Sequence, residues 1–220
     1  TENWVAGFAG LRVVVSCQRG LKLSQGVAAM LRDFGVQAES LEGGHLAWKA
    51  AKLPLVPLDS FPRHALGSLW VTRHRPKIDR IACPWLIRRF VDPKARFLFV
   101  APSEVLAVAE KFNATPFDIE GVRFSHQGDR CSFDTMLGLF GLETEALLRL
   151  AQVVRGADTD RHDLAPEAAG LLALSVGLSK MYRDDIAQLA AGMGVYDALY
   201  RWARDGFEET HDWPATGGGI

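Results

Sequence analysis

The stretch Val13–Gly35, VVVSCQRGLKLSQGVAAMLRDFG, contains the change of hydrophobic period that decides the fold of the N-terminal part of this chain. Three consecutive β-branched residues, Val13, Val14 and Val15, predict a strand over Val13–Ser16 that ends at Cys17. A short loop holding Gly20 follows. From Gln25 to Phe34 the apolar residues Val27, Ala28, Met30 and Leu31 recur at helical spacing, Ser24 is placed to cap the helix start, and Gly35 stands where a C-cap is expected. A thiol between a strand end and a helix N-terminus faces unpaired backbone N–H groups and the positive end of the helix dipole, and both favour the thiolate. Arg19 and Lys22 add positive charge, and Gly20 permits a tight loop around a bound anion. The same position also suits an inert core cysteine, a residue type that is often buried.

Working outward, Val36–Leu41 reads as a second strand, Glu42-Gly43-Gly44 as a turn, and His45–Ala51 as the start of another helix. Strands alternating with helices imply a small parallel α/β unit. Between Lys52 and Leu69, Pro54, Pro57, Pro62 and Gly67 alternate with Leu55, Val56, Leu58 and Phe61, which reads as an extended linker that packs on something. Beyond it, strands are expected at Trp70–Thr72 and Arg96–Ala101, and helices at Asp79–Phe90 and at Ser103–Lys111, the latter capped by Ser103. Two short strands are expected around Gly121, between Phe117 and Phe124. Helix dominates from Ser132 onward, with Glu143–Arg155 and Asp184–Arg204 showing clear helical spacing. The expected division is a first module over 1–53, a Pro-rich linker over 54–68, a second domain over 69–212 and a flexible tail over 213–220.

The composition excludes several classes. A hydrophobic content of 48% across 220 residues is enough for a real core, and the net charge of −1 gives no electrostatic case for nucleic acid or an anionic membrane. The longest apolar stretch, Ala168–Leu178, is too short to span a bilayer, and no N-terminal stretch reads as a signal peptide. Cys17, Cys83 and Cys131 are odd in number and widely spaced, which argues for a reducing compartment, with cytoplasm the expectation. The GxxxxGK[ST], GxGxxG and GxSxG patterns are absent from the sequence, so no nucleotide cofactor is expected. No basic helix-turn-helix stands out, which counts against direct DNA binding.

The first module, through Cys17, the Gly20 loop, the helix and LEGGHLAW (Leu41–Trp48), resembles the C-terminal half of a rhodanese, the sulfurtransferase domain that carries sulfur as a cysteine persulfide. The resemblance implies Cys17 as the nucleophile, with Lys22 and Ser24 assisting. It implies an anion cradle from the loop residues Gln18, Arg19, Gly20, Leu21, Lys22 and Leu23. Two features depart from the family. The segment is about half a rhodanese, so the remaining elements are absent or lie upstream of Thr1. The loop also has one more residue between Cys and Ser than the commonest pattern, with Lys22 as its nearby cation.

The second region resembles the C-terminal domain of the ChrB-type chromate-resistance proteins. The resemblance is carried by WVTRHRPKIDRIACPWLIRRFVDPKARFLFV (Trp70–Val100), FDIEGVRFSHQGDRCSFDTM (Phe117–Met136) and the stretch from Ala157 to Leu171. It implies a context of chromate resistance without a defined chemistry. The overall fold class expected is therefore α/β: a partial rhodanese-like parallel βαβα unit followed by a mixed α/β, mostly helical domain.

Within that second region His126, Asp129, Cys131 and Asp134 fall in one nine-residue window, with Cys131 and Asp134 at i, i+3 on one helix face. Imidazole, carboxylate and thiolate together suit a transition ion such as Zn, Fe or Mn. The candidate ligands are His126, Cys131 and Asp134, completed from a distance by Asp79, Asp158 or Glu167. The alternative is that the acids cap a helix and His126 bonds a backbone carbonyl. Arg80, Arg88 and Arg89 near Trp85 suggest an oxyanion groove, although Arg88 and Arg89 point about 100° apart on a helix, which favours a salt-bridged or solvated face. Arg80 beside Asp79 suits an internal ion pair. Cys83 and the aromatic residues from Trp85 to Trp202 read as core.

The function these readings point to is a chromate or oxyanion stress protein with rhodanese-like persulfide chemistry. Its small partners would be sulfur or metal oxyanions such as thiosulfate and chromate, with homo-oligomerisation compatible. The alternative is a metal- or chromate-responsive sensor without turnover. A third reading makes the first module a structural dimerisation piece.

Overall fold

The computed structural model describes residues 4–61 and 67–209, and the chain divides into two compact units, Thr1–Leu55 and Val56–Ile220. In the first unit β1 (Arg12–Val15) and β2 (Gln37–Ser40) run parallel, with Val13 opposite Ala38 and Val15 opposite Ser40. Parallel neighbours need a crossover, and α1 (Lys22–Asp33) supplies it, while α2 (Gly44–Ala50) follows β2. Along β1 the valines alternate, Val13 and Val15 turning inward and Val14 outward, so this strand is half-buried. Its inner face meets Ala28, Leu31, Val36 and Ala38.

Helix α1 opens at Lys22, three residues ahead of the expected Gln25, because the Gln25 N–H already donates to the Leu21 carbonyl at 3.0 Å. Ser24 thus lies inside the first turn and does not cap it. At the far end Gly35 takes a φ of +80°, and the Val36 N–H closes on the Leu31 carbonyl at 3.0 Å, the left-handed stop expected there.

The second unit is built on a parallel sheet of order β4-β3-β5, with β3 (Leu69–Arg73) central, β4 (Arg96–Val100) on one side and the short β5 (Thr115–Pro116) on the other. Trp70 pairs with Phe97 and with Thr115 in the ladder. Helix α3 (Asp79–Leu86) runs on into a wider π-type turn at Ile87–Val91, where one continuous helix to Phe90 was expected. Helix α4 (Val105–Phe112) is preceded by a 3-10 turn at Pro102–Glu104, and the Ser103 hydroxyl bonds Glu104 instead of capping α4. Four further helices follow: α5 (Ser132–Phe140), α6 (Glu145–Asp158), α7 (Ala168–Met181) and α8 (Asp185–Arg201). The two strands expected between Phe117 and Phe124 reduce to one bridge between those residues, because Asp118 adopts a left-handed backbone at φ +53° that cannot continue a ladder.

Val71 packs with Val105, Ala109 and Ala114 of the α4 layer. Trp70, Trp85, Phe117, Phe124, Phe133 and Phe140 form the larger core, largely in edge-on and tilted pairs such as Trp70–Phe124 with centroids 5.1 Å apart. The segment Ile81–Ile87, Cys83 included, is buried throughout, and the Trp85 indole donates to Asp197 at 2.8 Å. Val56 and Phe61, from the Pro-rich stretch, pack on this core. Pro62 and the tail over 213–220 lie outside the described residues. Among the described residues no helix is long and apolar enough to cross a membrane.

Candidate functional site

Two places gather chemistry, one in each unit. In the first, Cys17 follows β1 and is half-buried, and its loop is shaped from a distance. The N–H groups of His45 and Leu46, in the first turn of α2, donate to the Cys17 and Gln18 carbonyls at 3.0 Å each. Gly20 is buried beneath the loop at φ +67°, where a Cβ would lie 2.5 Å from the Leu41 carbonyl and 2.7 Å from the amides of Gly43 and Gly44. Only glycine fits that close approach. The LEGGH turn therefore forms the floor of the cysteine loop.

Cys17 Sγ lies 3.2 Å from Ser24 Oγ, and Ser24 Oγ lies 3.2 Å from the Leu21 carbonyl. The hydroxyl has a single proton, so it donates either to that carbonyl or to sulfur, and ionisation of the thiol selects sulfur. This bond, with backbone N–H groups of Ser24, Arg19 and Leu21, brings the Cys17 pKa down to about 6 against the opposing effect of burial. The cause is more local than the sequence suggested. Hydrogen bonds lower the pKa, and Arg19 contributes through its main chain. Sulfur opens onto a cavity of about 360 Å³ lined by Cys17, Gln18, Arg19, Leu21, Lys22 and Leu23. Of the expected cradle residues Gly20 alone is absent from that lining, since it lies underneath.

In the second unit the loop after β3 delivers Asp79 to the start of α3, and α7 and α8 hold that loop. Arg75 donates from its main chain to both Asp185 oxygens (3.1 and 3.2 Å) and from its side chain to the Tyr182 carbonyl (2.8 Å). Gln188 donates to the Pro76 carbonyl at 2.5 Å. Ile78, forced to φ +39°, is pinned on both sides: its N–H donates to Ser175 Oγ at 3.1 Å and its carbonyl accepts from Tyr196 at 3.0 Å.

Asp79 arrives 1% exposed, with Oδ2 accepting the Ser132 N–H at 2.5 Å and Oδ1 buried without any hydrogen-bond partner. His126 Nε2 stands 3.5 Å from Asp79 Oδ2, 3.6 Å from Asp118 Oδ1 and 3.2 Å from Asp158 Oδ2 at the end of α6. Asp118 is otherwise satisfied. Its Oδ1 accepts from the Ser132 hydroxyl at 2.7 Å, and its Oδ2 faces Arg73 at 2.9 Å and Arg80 at 3.4 Å.

The electrostatics follow from that arrangement. Burial raises the Asp79 pKa in spite of His126. Burial and then the neighbouring charges of Asp79 and Asp118 push Asp158 up to about 7. Burial opposes Asp118 too, but hydrogen bonds from His126, Ser132 and Arg73 outweigh it and hold its pKa below the usual range. The hydrogen bonds that His126 donates to Asp118 and Asp79 raise its own pKa to about 10.

Of the candidate metal ligands expected from sequence, His126, Asp79 and Asp158 converge, each offering a ligand atom within 4.8 Å of the others. Cys131 and Asp134 are engaged with one another. The Cys131 side chain accepts from the Asp134 main chain, the Cys131 N–H donates to Asp134 Oδ2 at 3.1 Å, and Arg155 takes Asp134 Oδ1 at 3.2 Å. Glu167 precedes α7 and is outside the group. Burial also raises the Cys131 and Cys83 thiols well above the ordinary range. Arg80, read beside Asp79, pairs with Asp118. Arg88 donates to the Ala95 carbonyl at 3.1 Å and Arg89 forks onto Asp197 at 2.8 and 2.6 Å, so the three arginines do not form one anion groove.

Sequence reasoning missed Asp118, Arg73 and Ser132. Asp118 sits in the FDIEG stretch, eight residues before His126, and its one local signal was an acid ending an apolar segment.

Residues 70–203 match the family model described as ChrB, C-terminal domain. Over 140 residues the chain is 39% identical to Protein ChrB of Cupriavidus metallidurans, covering 63% of this chain and 42% of that protein. The chain thus spans less than half the length of that curated relative. No solved structure matches it.

Proposed function

This chain belongs to the ChrB C-terminal domain family, and on that premise we propose that it serves in resistance to chromate and related oxyanions, with Cys17 as its reacting nucleophile. The observation that carries the second part is the contact of the Cys17 sulfur with Ser24 at 3.2 Å, which with three backbone N–H groups lowers its pKa to about 6, at the mouth of a cavity lined in part by Arg19 and Lys22. Thiosulfate and chromate are both compact dianions with a tetrahedral centre, and a pocket of this size with Arg19 and Lys22 among its lining residues admits either.

The chemistry is sulfur transfer. The Cys17 thiolate attacks the outer sulfur of a sulfane donor such as thiosulfate, the S–S bond breaks, and sulfite leaves with the bonding pair. The persulfide left on Cys17 carries its negative charge into the ring of N–H groups from Arg19, Leu21 and Ser24. A thiol or cyanide then takes the outer sulfur and restores the thiolate. Free cysteines at positions 17, 83 and 131 fit a reducing compartment such as cytoplasm.

A thiosulfate:cyanide sulfurtransferase assay, with mass spectrometry of Cys17 after exposure to thiosulfate, tests this reading. Wild type is expected to turn over and to gain one sulfur atom on Cys17, and Cys17→Ser to do neither. Equal rates in the two proteins, or no turnover and no adduct in wild type, would remove sulfur transfer from the account.

A further inference from the structure

The chemistry of Cys17 makes no use of Asp79, His126 and Asp158, which converge in the second unit. We propose that these three residues form a binding site for one divalent transition ion of the Zn, Fe or Mn class, in the second unit and independent of the sulfur-transfer reading.

Three observations carry it. The first is spacing. Two ligands each about 2.1 Å from one ion lie about 3.0 Å apart at right angles and about 3.4 Å apart at the tetrahedral angle. His126 Nε2 is 3.2 Å from Asp158 Oδ2 and 3.5 Å from Asp79 Oδ2, the separations of neighbouring ligands around one centre.

The second is an unmet need. Asp79 is 1% exposed, its Oδ2 faces His126 across the cluster, and the other oxygen of that carboxylate, Oδ1, is buried with no hydrogen-bond partner. A buried carboxylate oxygen left bare is costly, and a cation is the partner that removes the cost.

The third is charge. Arg73 and Arg80 both pair with Asp118, whereas among the described residues the ion-pair partner of Asp79 and Asp158 is the imidazole of His126. Once the ion displaces the proton from the imidazole, two carboxylates balance a divalent charge. One imidazole and two carboxylates are a borderline-to-hard donor set, which selects Zn, Fe or Mn and not a thiolate-seeking ion. Asp118 bonds Ser132 and Arg73, and its Oδ1 lies 3.6 Å from the same His126 Nε2, so it lines the site beside the proposed ligands. Access is open on one side, because the His126 side chain is 43% exposed and that of Asp158 19%, while Asp79 forms the floor.

The test uses the full chain stripped with a chelator, then dialysed against Zn²⁺, Mn²⁺ or anaerobic Fe²⁺ and analysed for bound metal and thermal unfolding. One equivalent of at least one of these ions is expected, with a rise in Tm that grows with metal concentration. His126→Gln and Asp158→Asn, both on the open side of the site, should each weaken binding by at least about 100-fold, since even supporting residues are worth 10–100-fold. Asp134→Asn, on the acid held by Arg155, should bind as wild type does. No bound ion and no Tm shift in wild type would overturn the site, as would undiminished binding in both ligand variants. Loss of binding in Asp134→Asn equal to that in His126→Gln would move the ion elsewhere and overturn the assignment as well. None of these outcomes depends on Cys17, so failure here is distinguishable from failure of the sulfur-transfer reading.

Discussion

Cys17 Sγ and Ser24 Oγ meet at 3.2 Å across seven residues of chain, one at the end of a strand and the other inside the first turn of the helix that follows. The contact exists because α1 starts early, at Lys22, which carries the serine past the cap position and into reach of the sulfur. A residue placed to close a helix instead tunes a nucleophile.

The pH dependence of Cys17 follows directly. A thiol with its pKa lowered to about 6 is thiolate at neutral pH, and it loses that form only as pH falls through 6. Alkylation of Cys17 by iodoacetamide should be half-maximal near that pH and flat above it. Ser24→Ala removes the largest stabilising bond and should move the midpoint up toward the ordinary thiol value of about 8.5, cutting the rate at pH 7 by up to about 30-fold. An unchanged midpoint in Ser24→Ala would assign the acidity to the backbone alone.

Gly20→Ala should damage the first unit. The substitution places a Cβ against the Leu41 carbonyl and the Gly43 and Gly44 amides, from a left-handed backbone. A cost of about 1–3 kcal/mol is expected. Limited proteolysis of the first unit and the alkylation midpoint of Cys17 report it together, because a displaced loop loses both its protection and its N–H groups.

Two glycines in one helix should respond in opposite directions. Gly192 in α8 faces α3, where a Cβ would lie 2.8 Å from Ile81 Cγ2, whereas Gly194 has nothing within 4 Å and is exposed. Gly192→Ala should destabilise the chain by about 1–3 kcal/mol through overpacking. Gly194→Ala should stabilise it by up to about 1 kcal/mol through helix propensity. Chemical denaturation of the two variants beside wild type measures both.

Asp197→Ala leaves the buried Trp85 indole N–H without its acceptor and frees the Arg89 fork. Most of the loss belongs to the indole, because Arg89 and Asp197 are each more than 40% exposed and their ion pair is screened. A destabilisation of about 1–3 kcal/mol is expected, with a change in Trp fluorescence in the native state. A native spectrum identical to wild type would contradict the assignment.

How far the sequence carried depended on the range of each signal. The strand, the cysteine and the helix around Val13–Gly35 were legible because each rests on neighbours within a few residues. The ring of N–H groups was legible too, but the Ser24 bond was not, since it required knowing the helix start to within three residues. In the second unit the i, i+3 spacing of Cys131 and Asp134 was ambiguous in principle. Two ligands on one helix face and an N-cap paired with its third residue share that spacing, and the structure takes the second form. Asp118 was invisible for a different reason. Its place is set by a left-handed backbone and by Arg73, 45 residues earlier, and neither leaves a periodic trace.

The first turn of α2 spends two of its N–H groups on the Cys17 and Gln18 carbonyls, and this has a genetic consequence. The geometry of the sulfur is written partly in codons more than two dozen positions downstream. An insertion or deletion between Ser40 and Gly44 would silence the cysteine without altering it, and a search confined to the cysteine's own neighbourhood would overlook the lesion.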